Sequence, residues 1–126
     1  MDFPSALKYT KDHEWVKIEG DHATVGITAY AIEQLGDIVF VELPAVGTEF
    51  DEASPFGTVE STKTVSDLYM PLTGKVEATN AAIVEAPESL QNDPYEAGWL
   101  VKVKLKSPGA SGELLSAAEY QKFISE

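Results

Sequence analysis

Apolar and polar residues alternate along most of this 126-residue chain. The period of two predicts strands at "HEWVKIEG" (13–20), "HATVGI" (22–27) and "IVFVELP" (38–44), all rich in Val and Ile and closed by Gly or Pro. "PFGTVES" (55–61), "TVSDLYM" (64–70) and "GKVEATN" (74–80) continue the series. "WLVKVKL" (99–105) sets Lys102 and Lys104 on one face and Leu100 or its neighbours on the other. Helical patterns are few. "TAYAIEQLG" (28–36) offers Thr28 as N-cap, Ile32 and Leu35 on one face and Gly36 as the stop. Ser116 and Glu119 have capping-box spacing before Tyr120 and Phe123, which predicts a C-terminal helix at about 112–125. "APESLQNDPYEAG" (86–98) is dense in turn formers and reads as a surface loop. Many short strands with turns between them predict a β-sandwich or flattened barrel.

A faint repeat sharpens this. "DIVFVELPAVG" (37–47) and "DLYMPLTG" (67–74) each run from Asp through apolar residues to Pro-x-x-Gly, suggesting two similar halves packed face to face. The length suits one domain over residues 1–126, and 44% apolar residues suit a packed core. No run reaches the roughly 18 apolar residues of a membrane span. "MDFPSALKYT" lacks the start of a secretory signal and the arginines of a transit peptide, although a processed form would not show one. The absence of cysteine excludes disulfides, thiolate metal sites and a cysteine nucleophile. A net charge of −12 argues against nucleic acid or an anionic membrane as partner. It fits basic protein surfaces, or simple solubility.

Catalytic patterns are missing. His13 and His22 have no second His at ligand spacing and read as surface histidines. Gly74-Lys75 lacks the rest of a phosphate loop. Trp15 and Trp99 read as core or edge packing. No nucleophile, base and oxyanion hole come together. What stands out is Lys63 in "VESTKTVSDLYMPLTG" (59–74), a lone lysine where the pattern turns between two strands. It is either a solvated turn lysine or an amine held out for acylation. Its flexible stem and its small neighbours Ser61, Thr62 and Thr64 suit the second reading.

"GTVESTKTVSDLYMPLTGKVEATN" (57–80) closely resembles the lipoylation segment of glycine cleavage system H proteins. The resemblance continues through "HEWVKIEG", "VGITAYAIEQLGDIVFVELPAVG" (25–47), "NDPYEAGWLVKVK" (92–104) and the Tyr120 region, in the family's order and spacing. Biotinyl domains place Met on both sides of their lysine, where this chain has Thr62 and Thr64. Lipoyl domains of 2-oxo acid dehydrogenases usually carry Asp-Lys-Ala, and they lack the Trp-containing segments and the C-terminal helix.

The resemblance implies a lipoyl/biotinyl-type β-sandwich (a barrel-sandwich hybrid) of two similar halves, with a short internal helix, a C-terminal helix and a lipoylation hairpin at about 57–80. It implies (R)-lipoate on Lys63 through an amide, and a carrier that is not itself an enzyme. The implied partners are a pyridoxal-phosphate glycine decarboxylase, a tetrahydrofolate-dependent aminomethyltransferase, dihydrolipoyl dehydrogenase and a lipoate-attaching enzyme. They would meet a monomer in the bacterial cytoplasm, or in the mitochondrial matrix if the chain is a processed eukaryotic form. An aminomethyl group on sulfur is prone to hydrolysis, and in the family the loaded arm folds into a polar cleft. The matching positions are Glu14, Asp67 and Asp12, the last where a hydroxyl such as Ser is expected. For each of the three, a solvated surface acid is the alternative. A relay of lipoyl groups to other enzymes, or a binding module with an unmodified lysine, needs the same hairpin and stays open.

Overall fold

The computed structural model describes residues 3–106 and 114–125. Its strands are β1 (Lys8–Tyr9), β2 (Glu14–Glu19), β3 (His22–Ile27), β4 (Ile38–Glu42), β5 (Glu49–Phe50), β6 (Pro55–Ser61), β7 (Val65–Tyr69), β8 (Gly74–Thr79) and β9 (Val101–Leu105). The helices are α1 (Ala29–Leu35), α2 (Ala81–Glu85), α3 (Ser89–Asn92) and α4 (Ala117–Ser125). β1-β2-β3-β9-β8-β5 form a six-stranded sheet and β4-β6-β7 a three-stranded one, with antiparallel pairing throughout.

Successive side chains of a strand point to opposite faces, so alternation becomes an inner and an outer layer. Val25, Ile27, Val76, Val101 and Val103 of the larger sheet pack against Val41, Val59 and Leu68 of the smaller. Each such side chain, fully buried, contributes roughly 1.5–3 kcal/mol. Lys102 and Lys104 stay outside, as the pattern requires. The expected fold class is the observed one. Both repeat segments cross between the sheets: the chain passes from β4 to β5 through Pro44–Gly47, and from β7 to β8 through Pro71–Gly74. The halves meet where Gly47 N donates to Val76 O and Val76 N to Thr48 O.

Several expectations need correction. Residues 86–98 are not an irregular surface loop. They contain α3, whose Leu90 is fully buried, and they feed polar groups inward. Pro94 O accepts from Trp15 Nε1 at 2.9 Å, and Tyr95 Oη accepts from Ala29 N at 3.0 Å. A four-residue helix is too short for its period to show among so many turn formers. α2, β1 and β5 were not expected, being two to five residues long. The lysine-bearing hairpin is β6–β7, narrower than 57–80, because the chain leaves for the other sheet after Tyr69. The last helix starts at Ala117, since Leu115 is held in a bridge with Tyr9; positions 112–113 lie outside the described residues. The capping box is real: Ser116 N donates to Glu119 Oε1 (2.9 Å) and Glu119 N to Ser116 Oγ (3.2 Å).

Candidate lysine hairpin and its pocket

Lys63 sits in the three-residue turn between β6 and β7, exposed. The turn is held by its own first residue. Ser61 Oγ accepts from Lys63 N (3.3 Å) and Thr64 N (3.2 Å), while Ser61 N donates to Thr64 O (2.8 Å). This is the serine-turn chemistry that lets a short side chain replace backbone pairing. Thr62 N donates to Asp37 O at 3.1 Å, tying the turn to the residue after the α1 cap.

That cap steers the lysine. Thr28 Oγ1 accepts from Ala31 N to start α1, and Gly36 ends it with φ at 87°. A positive φ there favours glycine, and a side chain at Gly36 would meet Lys63 Cε at 3.4 Å. The lysine stem therefore runs back along the end of α1 and is not projected clear of the body. Among the described residues Lys63 takes part in no ion pair. Lys75, also exposed and in no ion pair among the described residues, lies within β8 opposite Lys104 and Glu49.

Beside this stem is a pocket of about 140 Å³. Ile27, Ala31, Leu35, Val59 and Leu68 give it an apolar lining, and Asp12, His13, Gln34, Ser66 and Asp67 a polar one. Gln34 and Leu35 of its lining immediately precede Gly36, against which the Lys63 stem lies; Lys63 itself is not in the lining. A larger hollow of about 420 Å³ is lined by Lys75, Lys104 and Lys106 and shares no residue with it.

Of the three acids expected at the cleft, the structure brings Asp12 and Asp67 to the pocket and exposes both. Glu14 is absent from the lining and is 1% exposed. Its Oε2 accepts from Tyr69 N at 2.7 Å and its Oε1 from Thr10 Oγ1 at 3.3 Å. β7 is an edge strand, and Glu14 reaches across from β2 to satisfy one of its amides. Burial pushes the Glu14 carboxyl up to about 8, against which the Tyr69 amide works downward.

His13 is not the surface residue its sequence context suggests. It is half-buried with φ at 68°, and its Nδ1 lies 2.8 Å from Tyr120 Oη. Burial lowers its pKa, while Asp12 acts in the opposite sense. His22 is exposed as expected, between Asp21 and Glu77. Nothing local could have linked His13 to a residue 107 positions away. Among the described residues no cluster suits a metal ion, and no helix is long and apolar enough to cross a membrane.

An exposed lysine at the tip of a hairpin in a two-sheet β-sandwich is the layout expected of the lipoyl/biotinyl-type fold. The Glycine cleavage H-protein family profile matches residues 7–126. Glycine cleavage system H protein of Staphylococcus haemolyticus is 52% identical over 126 residues, covering 100% of both chains. That of Acaryochloris marina is 52% identical over 121 residues, 96% of this chain and 94% of the relative. The crystal structure of a glycine cleavage system H protein from Mycobacterium marinum superposes with a TM-score of 0.91 at 45% identity, covering 98% of this chain and 100% of that one. The chain belongs to the glycine cleavage H-protein family.

Proposed function

We propose that the chain is the lipoate-bearing shuttle of glycine cleavage, a carrier and co-substrate with no catalytic centre of its own. Lys63 bears lipoate as an amide. The observation that carries this reading is the exposed Lys63 in a hydrogen-bonded turn, its stem against the end of α1, the helix whose last residues line a pocket with apolar side chains and two carboxylates. When bound, lipoate supplies a dithiolane that takes the aminomethyl group at glycine decarboxylase, yields it at the tetrahydrofolate-dependent aminomethyltransferase, and is reoxidised by dihydrolipoyl dehydrogenase.

The residues present fit such a group. The apolar lining suits the hydrocarbon part of the arm, and Asp12 and Asp67 suit its ammonium end. One charge pair at 4 Å is worth roughly 1 kcal/mol in water and about 4 kcal/mol at an effective dielectric of 20. Exclusion of water matters more than the number of carboxylates. Glu14 holds β7, which carries Asp67, through the Tyr69 amide. A lipoate-attaching enzyme completes the set of partners, the carrier acts as a monomer, and its bacterial relatives support a cytoplasmic location. Intact-mass and peptide mapping of protein from the native host tests the reading. Lipoate on Lys63 alone is expected; a bare Lys63 when lipoate is plentiful, or lipoate on Lys75, would sink it.

A further inference from the structure

Tyr120 lies on α4, fully buried and absent from the pocket lining, yet its hydroxyl meets one lining residue, His13, and the N-cap of the helix that supplies three others. On one side it meets His13 Nδ1 at 2.8 Å, and His13 shares a wall with Asp12. On the other it meets Thr28 Oγ1 at 2.9 Å. Thr28 is the N-cap of α1, whose Ala31, Gln34 and Leu35 form the other wall. Thr28 N also donates to His13 O at 3.0 Å. His13 needs this support, because its backbone is in the left-handed region, which a non-glycine residue keeps only when its surroundings fix it.

The order of protons follows from what each group can do. Thr28 is fully buried, and among the described residues the Tyr120 oxygen is the one acceptor its hydroxyl meets, so the Thr28 proton goes there. Tyr120 then donates to His13 Nδ1, which leaves the imidazole proton on Nε2.

We propose that the Tyr120 hydroxyl is a positioning group for the arm pocket, joining the His13 wall to the α1 wall and making the C-terminal helix part of the carrier site. The proposal rests on the reading of the pocket as the seat of the loaded arm. Tyr120→Phe removes the bridge and keeps the ring that stacks on Tyr9 at 5.0 Å, so the fold is retained. In the unmodified protein, nitrogen NMR of the His13 ring should show one tautomer, protonated on Nε2, and a mixture in Tyr120→Phe. In the lipoylated, aminomethyl-loaded protein the variant should lose the group to water about fivefold faster, the effect of one hydrogen bond.

Tyr9→Phe is the control. It removes the Tyr9–Pro4 hydrogen bond (2.7 Å) from the same aromatic cluster without touching the pocket, so both readouts should match wild type. Unchanged His13 signals in Tyr120→Phe would overturn the proposal, as would a changed tautomer with unchanged decay, or equal acceleration in Tyr9→Phe. Should Tyr120→Phe fail to fold, the wild-type His13 ring decides: a single tautomer protonated on Nε2 supports the bridge, and a mixture or a ring protonated on Nδ1 would overturn it. If Lys63 proves to carry no lipoate, the tautomer measurement still decides on the bridge by itself.

Discussion

The Lys63 turn and the pocket beside it are built in opposite ways. The turn is three residues, 62–64, closed by the hydroxyl of Ser61 at the end of β6 and anchored at a single carbonyl, Asp37 O. The pocket draws on residues 12–13, 27, 31, 34–35, 59 and 66–68, with Glu14 bonded to the strand that carries 66–68 and Tyr120 bonded to His13. A locally closed turn can change its exposed side chain without disturbing the core. A pocket assembled from distant stretches is sensitive to groups that never touch its contents. Attachment should therefore be robust and protection fragile.

The sharpest division between the two regions comes from Lys63→Arg. It should abolish carrier activity completely and leave the melting temperature within experimental error, since the site is exposed and its charge is kept. Calorimetry beside a glycine-cleavage assay checks both halves. A large loss of stability would mean that the turn is not independent of the core.

Next in size is the pocket's charge. Asp12→Asn with Asp67→Asn should speed loss of the aminomethyl group by about ten- to a hundredfold at most, with lipoylation near normal. Neutralising Glu49 and Glu85, both exposed and outside the pocket, is the control and should change nothing. Equal decay in the pocket variant and wild type would reduce the two aspartates to ordinary surface charge.

Glu14 offers a test in which pH distinguishes support from surface. Its folded value near 8 exceeds the ordinary 4.5, so the folded chain holds the proton longer than the unfolded one. Its stabilising contribution is complete below 4.5 and fades as pH rises to about 8, by at most roughly 1.4 kcal/mol per pH unit. Glu14→Gln, which can still accept from Tyr69 N, should flatten that slope in urea titrations. His13 acts with the opposite sign, because its lowered value costs stability as pH falls below 6.5. A wild-type profile without decline above pH 5 would contradict the burial of Glu14.

The smallest effect concerns approach of partners. The outer face beside the turn carries Glu42, Glu60 and Asp67, in a chain of net charge −12. Exposed charges are screened over about 8 Å at physiological salt, so apparent affinity for the aminomethyltransferase should fall a few-fold as salt rises. Kinetics independent of salt would leave shape as the only guide.

Much of this was legible from residue order. The strands at 22–27 and 55–61 match in both boundaries, and the caps at Thr28, Gly36 and Ser116 act as their residue types predict. Each is decided within a few residues, by pleat, by φ or by one short side chain, so local sequence suffices. The same holds for the Lys63 turn, where Ser61 is both signal and cause. Segment 86–98 shows the limit: its turn formers are plain, but Leu90 is buried by the core it packs against, and Pro94 and Tyr95 are held by Trp15 and Ala29 from distant stretches. Only the tertiary structure decided that Glu14 is a buried clamp while Asp12 and Asp67 remain at the pocket, and that His13 answers to Tyr120. The charge of a carboxylate and the role of an imidazole are set by solvent access and by the nearest donor. Both follow from which distant elements pack together, and no local pattern encodes that.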